Sequence, residues 1–97
     1  MSAPRASLSR EFATGHQGTT LVLMICTNWV WAGLYAGPYS ATPAEVSVAP
    51  SLRATVATRR LIVGGKSYPL SGTCLQSIRR WLDRNGVSVR NAPSPKS

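Results

Sequence analysis

The stretch TTLVLMICTNWVWAGLYAG, residues 19–37, decides how the rest of this 97-residue chain is interpreted. It contains no charged residue, and a helix over residues 21–37 would be about 25 Å long at ~1.5 Å per residue. The two preceding threonines bring that length close to the ~30 Å hydrocarbon core of a bilayer. No charged stripe recurs at the helical period, as the water-facing side of a core helix would require. We therefore predict a transmembrane helix over residues 19–37, with these membrane-spanning side chains: Leu21, Val22, Leu23, Met24, Ile25, Trp29, Val30, Trp31, Leu34 and Tyr35.

Residues at the end of this stretch favour the same interpretation. Aromatic rings, which anchor helices at the membrane surface, crowd its C-terminal half and the residues just after it: Trp29, Trp31, Tyr35 and Tyr39. Pro38 predicts the end of the helix because its ring cannot continue the hydrogen-bond ladder. Thr27 and Asn28 are the residues that argue against a membrane helix, because an unpaired amide in mid-segment is costly unless it bonds a neighbouring helix. We therefore expect self-association of the chain through this helix.

A removable signal peptide is the alternative interpretation. The apolar run exceeds the usual ~7–15 residues, and a cleavage site at Ala36 would need a small residue where Leu34 stands. A retained anchor is therefore favoured over a secreted or periplasmic binding module that loses residues 1–36. Orientation stays open. Arg5 and Arg10 before the segment, with no Lys or Arg in residues 38–52 after it, favour a cytoplasmic N-terminus, whereas the basic region from Arg53 onward favours the opposite.

The positive charge is confined to the second half of the chain. The net charge is +8, and residues 1–52 contribute none of it because two arginines there balance two glutamates. A basic region of this kind indicates contact with anionic lipid headgroups or with nucleic acid. The alternative is an overprinted reading frame without a stable fold, in which few acidic codons happened to arise.

The remaining chain divides into segments by composition. Residues 1–18 are predicted to be a disordered polar leader, and residues 38–58 a proline-rich linker with a short strand at 45–48. A small basic unit is predicted at 59–89, and a disordered tail at 90–97. The predicted fold class is thus a membrane α-helix plus a small α+β tail, in which a β-hairpin precedes a short amphipathic helix.

The basic unit shows the clearest local signals. Strands at 60–63 and 66–70 flank the turn dipeptide Gly64-Gly65, and a third strand is predicted at 87–89. The spacing of Thr73 and Gln76 suggests a capping box, and the dipeptide at 85–86 ends the helix. One face of this helix is apolar, formed by Cys74, Leu75, Ile78, Trp81 and Leu82.

The same helix carries the candidate binding residues. Arg79, Arg80 and Arg84, with Trp81 beside them, form a candidate basic–aromatic surface for headgroups or nucleic-acid phosphate. Arg80 and Arg84 are four residues apart and repel each other unless an anion lies between them. The alternative is an ordinary amphipathic helix with a solvated arginine face and Trp81 in the core.

No set of residues predicts catalysis or metal binding. Cys26 and Cys74 have no companion at metal-ligand spacing, and His16 is the single histidine. The GGKS run at 64–67 lacks the first glycine of a phosphate-binding loop, since Arg60 stands in its place. We therefore predict a non-enzymatic protein without a cofactor.

The order of residues after the apolar stretch resembles that of the third protein of the plant-virus triple gene block. Gly65 and Ser67 match its Gly-x-Ser turn, and Cys74 leads into a short helix as in that family. The family's first cysteine is missing, with arginines at 59 and 60 instead. The resemblance implies a single-span movement protein at the host endoplasmic reticulum, with other viral or membrane proteins as partners. A lesser similarity, hairpin then helix then strand, is to ubiquitin-like β-grasp modules.

Overall fold

The computed structural model describes residues 8–16, 18–36 and 42–92. Its strands form two four-stranded sheets, one ordered β1-β2-β3-β4 and the other β7-β6-β5-β8. The elements are β1 (Leu8–Ala13), β2 (Thr20–Ile25), β3 (Val30–Tyr35), β4 (Glu45–Ala49), β5 (Arg53–Ala57), β6 (Arg60–Val63), β7 (Lys66–Pro69), α1 (Gly72–Arg84) and β8 (Ser88–Asn91). The prediction of a membrane helix with a small tail is therefore wrong.

The stretch predicted to be a transmembrane helix is the central hairpin of the first sheet. Strands β2 and β3 pair antiparallel, with Leu23 opposite Ala32 and Met24 opposite Trp31. Their outer edges pair with β1 and β4, so the backbone polar groups are bonded within the sheet. Leu21, Leu23, Ile25 and Val30 are buried in the core. Val22, Met24, Trp31, Leu34 and Tyr35 are half-buried, and Trp29 is exposed.

The apolar character of this hairpin on both faces explains the wrong prediction. A half-buried strand usually alternates apolar and polar residues, but here the outer face also carries Val22, Met24 and Trp31. The indole of Trp31 lies across Gly33, where an added Cβ would be 2.3 Å from the ring. Along the described ranges, no helix has the length and apolarity needed to cross a membrane. The predicted self-association through a membrane helix and the membrane-embedded role of the ten side chains are both withdrawn.

The second sheet contains the elements that local signals predicted well. The hairpin β6–β7 and helix α1 lie where expected, and Gly86 ends the helix region with a φ of +86°. The N-cap is Ser71, whose Oγ accepts the N–H of Cys74, and not the predicted Thr73. Strand β5 lies in the segment predicted to be a proline-rich linker, and it pairs parallel with β8.

Several segment predictions change accordingly. The short strand expected at 45–48 is confirmed as β4, but the leader contributes β1 and the tail contributes the end of β8. The expected disorder at 1–7 and 93–97, and the helix stop and interfacial ring at 38–39, lie outside the described residues.

One hydrophobic core joins both sheets and the helix. It includes Leu21 and Leu23 from the first sheet, Leu61 from the second, and Ile78 and Leu82 from α1, all fully buried. The basic unit is therefore not a separate tail held apart by a linker. Its apolar helix face completes the core that the uncharged hairpin begins.

Contacts between β4 and the β6–β7 hairpin hold the two sheets together. Ser47 and Tyr68 share a hydroxyl–hydroxyl hydrogen bond of 2.7 Å, and Lys66 Nζ lies 3.2 Å from Glu45 Oε1. Gly64, in the β6–β7 turn, lies so close to β4 that an added Cβ would be 2.2 Å from the carbonyl oxygen of Val48. Through these contacts, the short strand β4 joins the first sheet to the second.

We expect stability to decline with alkaline pH partly because of Tyr68. Burial raises the pKa of Tyr68 above its ordinary 10.0, and the hydrogen bond between Tyr68 and Ser47 opposes this only in part. The neutral form is favoured in the folded state, so its contribution is full below pH 10 and is lost as pH rises from there towards the folded pKa. In urea unfolding across this range, Tyr68→Phe should reduce the steepness of the decline by up to about 1.4 kcal/mol per pH unit. An unchanged steepness would contradict this role.

Candidate functional site

Helix α1 meets strand β1 through an aromatic pair. The rings of Phe12 and Trp81 are 5.7 Å apart at 67°, an edge-to-face geometry. Phe12 is buried, whereas Trp81 is half-buried and keeps part of its indole at the surface. The guanidinium carbon of Arg10 lies 5.1 Å from the centroid of the Phe12 ring, within the range of a cation–π contact. Arg10 is thereby directed along β1 towards the helix.

Two arginines of α1, Arg80 and Arg84, line the same cleft as Arg10 of β1. Arg10, Ser77, Arg80, Trp81 and Arg84 line a cleft of about 170 Å³, here called the arginine–tryptophan cleft. Arg80 and Arg84 are one helical turn apart, which places their Cβ atoms about 5–6 Å from each other. Three guanidinium groups and one indole therefore face a common recess.

These three guanidinium groups are not neutralised by the protein. Within the described ranges, the Lys66–Glu45 contact is the one ion pair, and no acidic side chain lines the arginine–tryptophan cleft. Like charges this close repel each other, and the repulsion is relieved when an anion lies among them. The cleft is thus electrostatically suited to an anionic group.

The structure places Arg79 outside the arginine–tryptophan cleft. Arg79 lines a different cleft of about 490 Å³ together with Gln76, Arg80, Asp83 and Val89. The carboxylate of Asp83 in this lining makes it less favourable for anions, although Arg79 and Asp83 form no ion pair in the described structure. Of the four residues predicted from sequence, Arg80, Trp81 and Arg84 come together.

The three residues that match the movement-protein motif lie on different elements of the fold. Gly65 lies in the β6–β7 turn, and Ser67 on β7 accepts a hydrogen bond of 3.3 Å from Arg60 Nη1. Cys74 is in the first turn of α1, where burial raises the pKa of its thiol. The membrane segment that the resemblance needs is the β2–β3 hairpin. The viral movement role at the endoplasmic reticulum is therefore withdrawn.

Sequence reasoning missed the contribution of β1 to the cleft. Leu8, Arg10 and Phe12 lie on one strand face, but the run LSREFA does not alternate apolar with polar residues, so only its pairing with β2 identifies it as a strand. It also missed a larger cleft of about 520 Å³ near the start of α1, which includes His16, Arg59 and Arg60 in its lining. Arg59 and Arg60 are adjacent in the sequence, but nothing in the sequence places His16 beside them.

In the part of the chain that the structure describes, no three His, Cys, Asp or Glu side chains come close enough to hold a metal ion. Comparisons with protein families, with curated proteins and with solved structures find no match to this chain. The cleft's own side chains are therefore the basis for inferring a function.

Proposed function

We propose that this protein is a non-enzymatic module that binds the phosphate backbone of nucleic acid through the arginine–tryptophan cleft. The observation that carries the proposal is the convergence of Arg10, Arg80 and Arg84 on one recess without a carboxylate in its lining. Phosphate groups supply the negative charge that this recess lacks.

The choice of basic residue supports phosphate as the ligand. Nine of the 11 Lys and Arg residues are arginine, and a guanidinium binds phosphate oxygens through two parallel hydrogen bonds. An ammonium group acts on phosphate as a point charge without that geometry. The net charge of +8 adds a long-range attraction that speeds the encounter with a polyanion.

Trp81 favours nucleic acid over other polyanions. Its half-buried indole lies in the wall of the cleft between two arginines, where a base could stack on the exposed part of the ring. Base–aromatic stacking contributes about 1–3 kcal/mol per base, and it tolerates any base. Binding without strong sequence preference follows from this combination.

The proposed function requires residues 1–36, which the secreted alternative would lose. Loss of residues 1–36 would remove β1, β2 and β3, and with them Arg10 and six of the 18 buried core residues. A chain that binds through this cleft keeps those residues. Mass spectrometry of the purified protein measures whether they are present.

The test compares two doubly substituted variants with equal loss of charge. In Arg80→Gln/Arg84→Gln, both changes lie in the cleft; in the control, Arg53→Gln/Arg90→Gln, both lie on exposed strand positions outside the clefts described above. Binding of a fluorescent single-stranded oligonucleotide of about 12 nucleotides is followed by anisotropy at several salt concentrations. We expect the cleft variant to lose about tenfold in affinity or more and its salt slope to fall by about 1.4, because two phosphate contacts are lost.

The control variant should lose far less affinity, since distant exposed charges are screened by salt. Equal losses in the two variants would mean that only net charge matters, which contradicts the cleft as the site. Binding to phosphatidylserine vesicles without binding to the oligonucleotide would also overturn the proposal.

A further inference from the structure

The arginine–tryptophan cleft is one end of a longer groove between β1 and α1. A middle cleft of about 310 Å³ shares Arg10 and Ser77 with it. At its other end the middle cleft shares Ser71 with the 520 Å³ cleft that contains Arg59 and Arg60. Three recesses therefore follow one another along the whole length of the helix.

The far end of the groove is also cationic. Arg59 and Arg60 lie at the β5–β6 turn, and no acidic side chain in the described structure lines their cleft. Arg60 is held by its hydrogen bond to Ser67. Arg59 is the one described residue other than glycine with a positive φ, +52°, and its carbonyl accepts the N–H of Leu70 at 2.9 Å.

The loop that carries His16 is fixed against the helix at this end. The carbonyl of Thr14 accepts the N–H of Ser71 at 2.7 Å, and the buried Thr14 hydroxyl bonds within its own loop. Gly15 lies against Ser71, where an added Cβ would be 2.5 Å from the serine Cβ. These contacts hold the His16 loop against the start of α1, at the end of the groove that Arg59 and Arg60 line.

The middle of the groove carries less positive charge than its two ends. Its lining includes the hydroxyl residues Ser71, Thr73 and Ser77, and Glu11 is its one acidic residue. Hydroxyl groups donate to phosphate or base oxygens without adding charge. Positive charge is therefore concentrated at the two ends, with a nearly neutral section between them.

We infer that the groove binds nucleic acid as a single strand laid along α1, with one stretch of phosphates at Arg80 and Arg84 and another at Arg59 and Arg60. This inference rests on the proposed function. The 13-residue helix is about 20 Å long at ~1.5 Å per residue. A stacked strand advances ~3.4 Å per nucleotide, so the groove accommodates roughly six nucleotides.

A single strand fits this arrangement better than a duplex. A basic groove that follows the backbone, with an aromatic ring in its wall, is the arrangement found in proteins that bind single strands. In a duplex the bases are already stacked and paired, so the indole of Trp81 would have no free base face to contact. The single-stranded form of the ligand is therefore part of the inference.

The experiment uses probe length to separate the two ends of the groove. Arg59→Asn/Arg60→Gln removes both charges at the far end, and asparagine tolerates the positive φ at position 59. Fluorescent oligo-uridines of about three and about 12 nucleotides are titrated with this variant, with the unmodified chain and with Arg53→Gln/Arg90→Gln as the charge-matched control. Circular dichroism of each variant checks that the fold is retained.

We expect Arg59→Asn/Arg60→Gln to weaken binding of the long probe by about tenfold and to leave the short probe within about twofold. Equal weakening of both probes, or of neither, would overturn the inference while leaving the proposed function in place. Tighter binding to a duplex of the same length would also overturn it. Failure of the unmodified chain to bind either probe would remove the proposed function, and this inference with it.

Discussion

A lysine in place of Leu23 should unfold the protein, because this position is fully buried between the first sheet and the rest of the core. An unpaired ammonium group in such a site costs several kcal/mol, and the lost leucine packing adds a further ~2–5 kcal/mol. The sum is comparable with the whole stability of a domain of this size, about 5–15 kcal/mol. Loss of the cooperative unfolding transition in urea, followed by tryptophan fluorescence, measures this effect.

Met24→Lys is the matched control for this substitution. Met24 is the next residue along β2 but points to the outer face, where it is half-buried opposite Trp31 on β3. A lysine there can lay its alkyl chain on the indole and keep its ammonium group in water. We expect a cost below about 1 kcal/mol.

The pair of substitutions distinguishes a hairpin from a membrane helix. In a hairpin, neighbouring residues face opposite sides of the sheet, so the two lysines should differ greatly in effect. In a transmembrane helix over residues 19–37 both positions lie at nearly the same depth, ~1.5 Å apart along the axis, so the two lysines would cost similar amounts. Equal damage by Leu23→Lys and Met24→Lys would therefore contradict the fold.

The second large effect is expected at Gly64. Its φ is +60°, and an added Cβ would lie 2.2 Å from the carbonyl oxygen of Val48 and 2.6 Å from its carbonyl carbon. The neighbour is backbone and cannot move aside without separating β4 from the β6–β7 hairpin. Gly64→Ala should thus lower the free energy of unfolding by about 4 kcal/mol, combining the left-handed backbone cost with the clash.

Gly65 provides the control for the backbone contribution. Its φ is +83°, but no atom lies within 4 Å of the position of an added Cβ. Gly65→Ala should therefore cost only the ~1–2 kcal/mol of an alanine in the left-handed region. Chemical denaturation of both variants gives the two values. If Gly64→Ala is no worse than Gly65→Ala, the close contact between the sheets is not formed.

Local signals in the sequence predicted the second half of the fold well. The Gly64-Gly65 turn, the flanking strands and the apolar face of α1 are set by interactions within about thirty residues. Strand β5 was missed because its tight hairpin with β6 turns at Thr58 and Arg59, without the Gly, Asn or Asp that marks such turns, and because its parallel partner β8 lies more than thirty residues further along the chain. No local pattern records such a pairing.

The sequence predicted only the part of the candidate site that lies on α1. Arg80, Trp81 and Arg84 share a helix, so their proximity follows from helical spacing. Arg10 and Arg59 join the groove from other elements, and only the packing of β1 and of the β5–β6 turn against α1 places them there. The position of each charge relative to the others is a tertiary property.

The uncharged stretch at residues 19–37 shows the same division. Its composition alone determined that most of these side chains are removed from water, and five of them are buried in the core. It did not determine whether the backbone hydrogen bonds are made within a helix or between strands. That choice depended on β1 and β4, which supply partners along both edges of the hairpin, and on α1 and the second sheet, which cover its inner face. An apolar segment hides its side chains in either conformation, and only its neighbours decide which one satisfies its backbone.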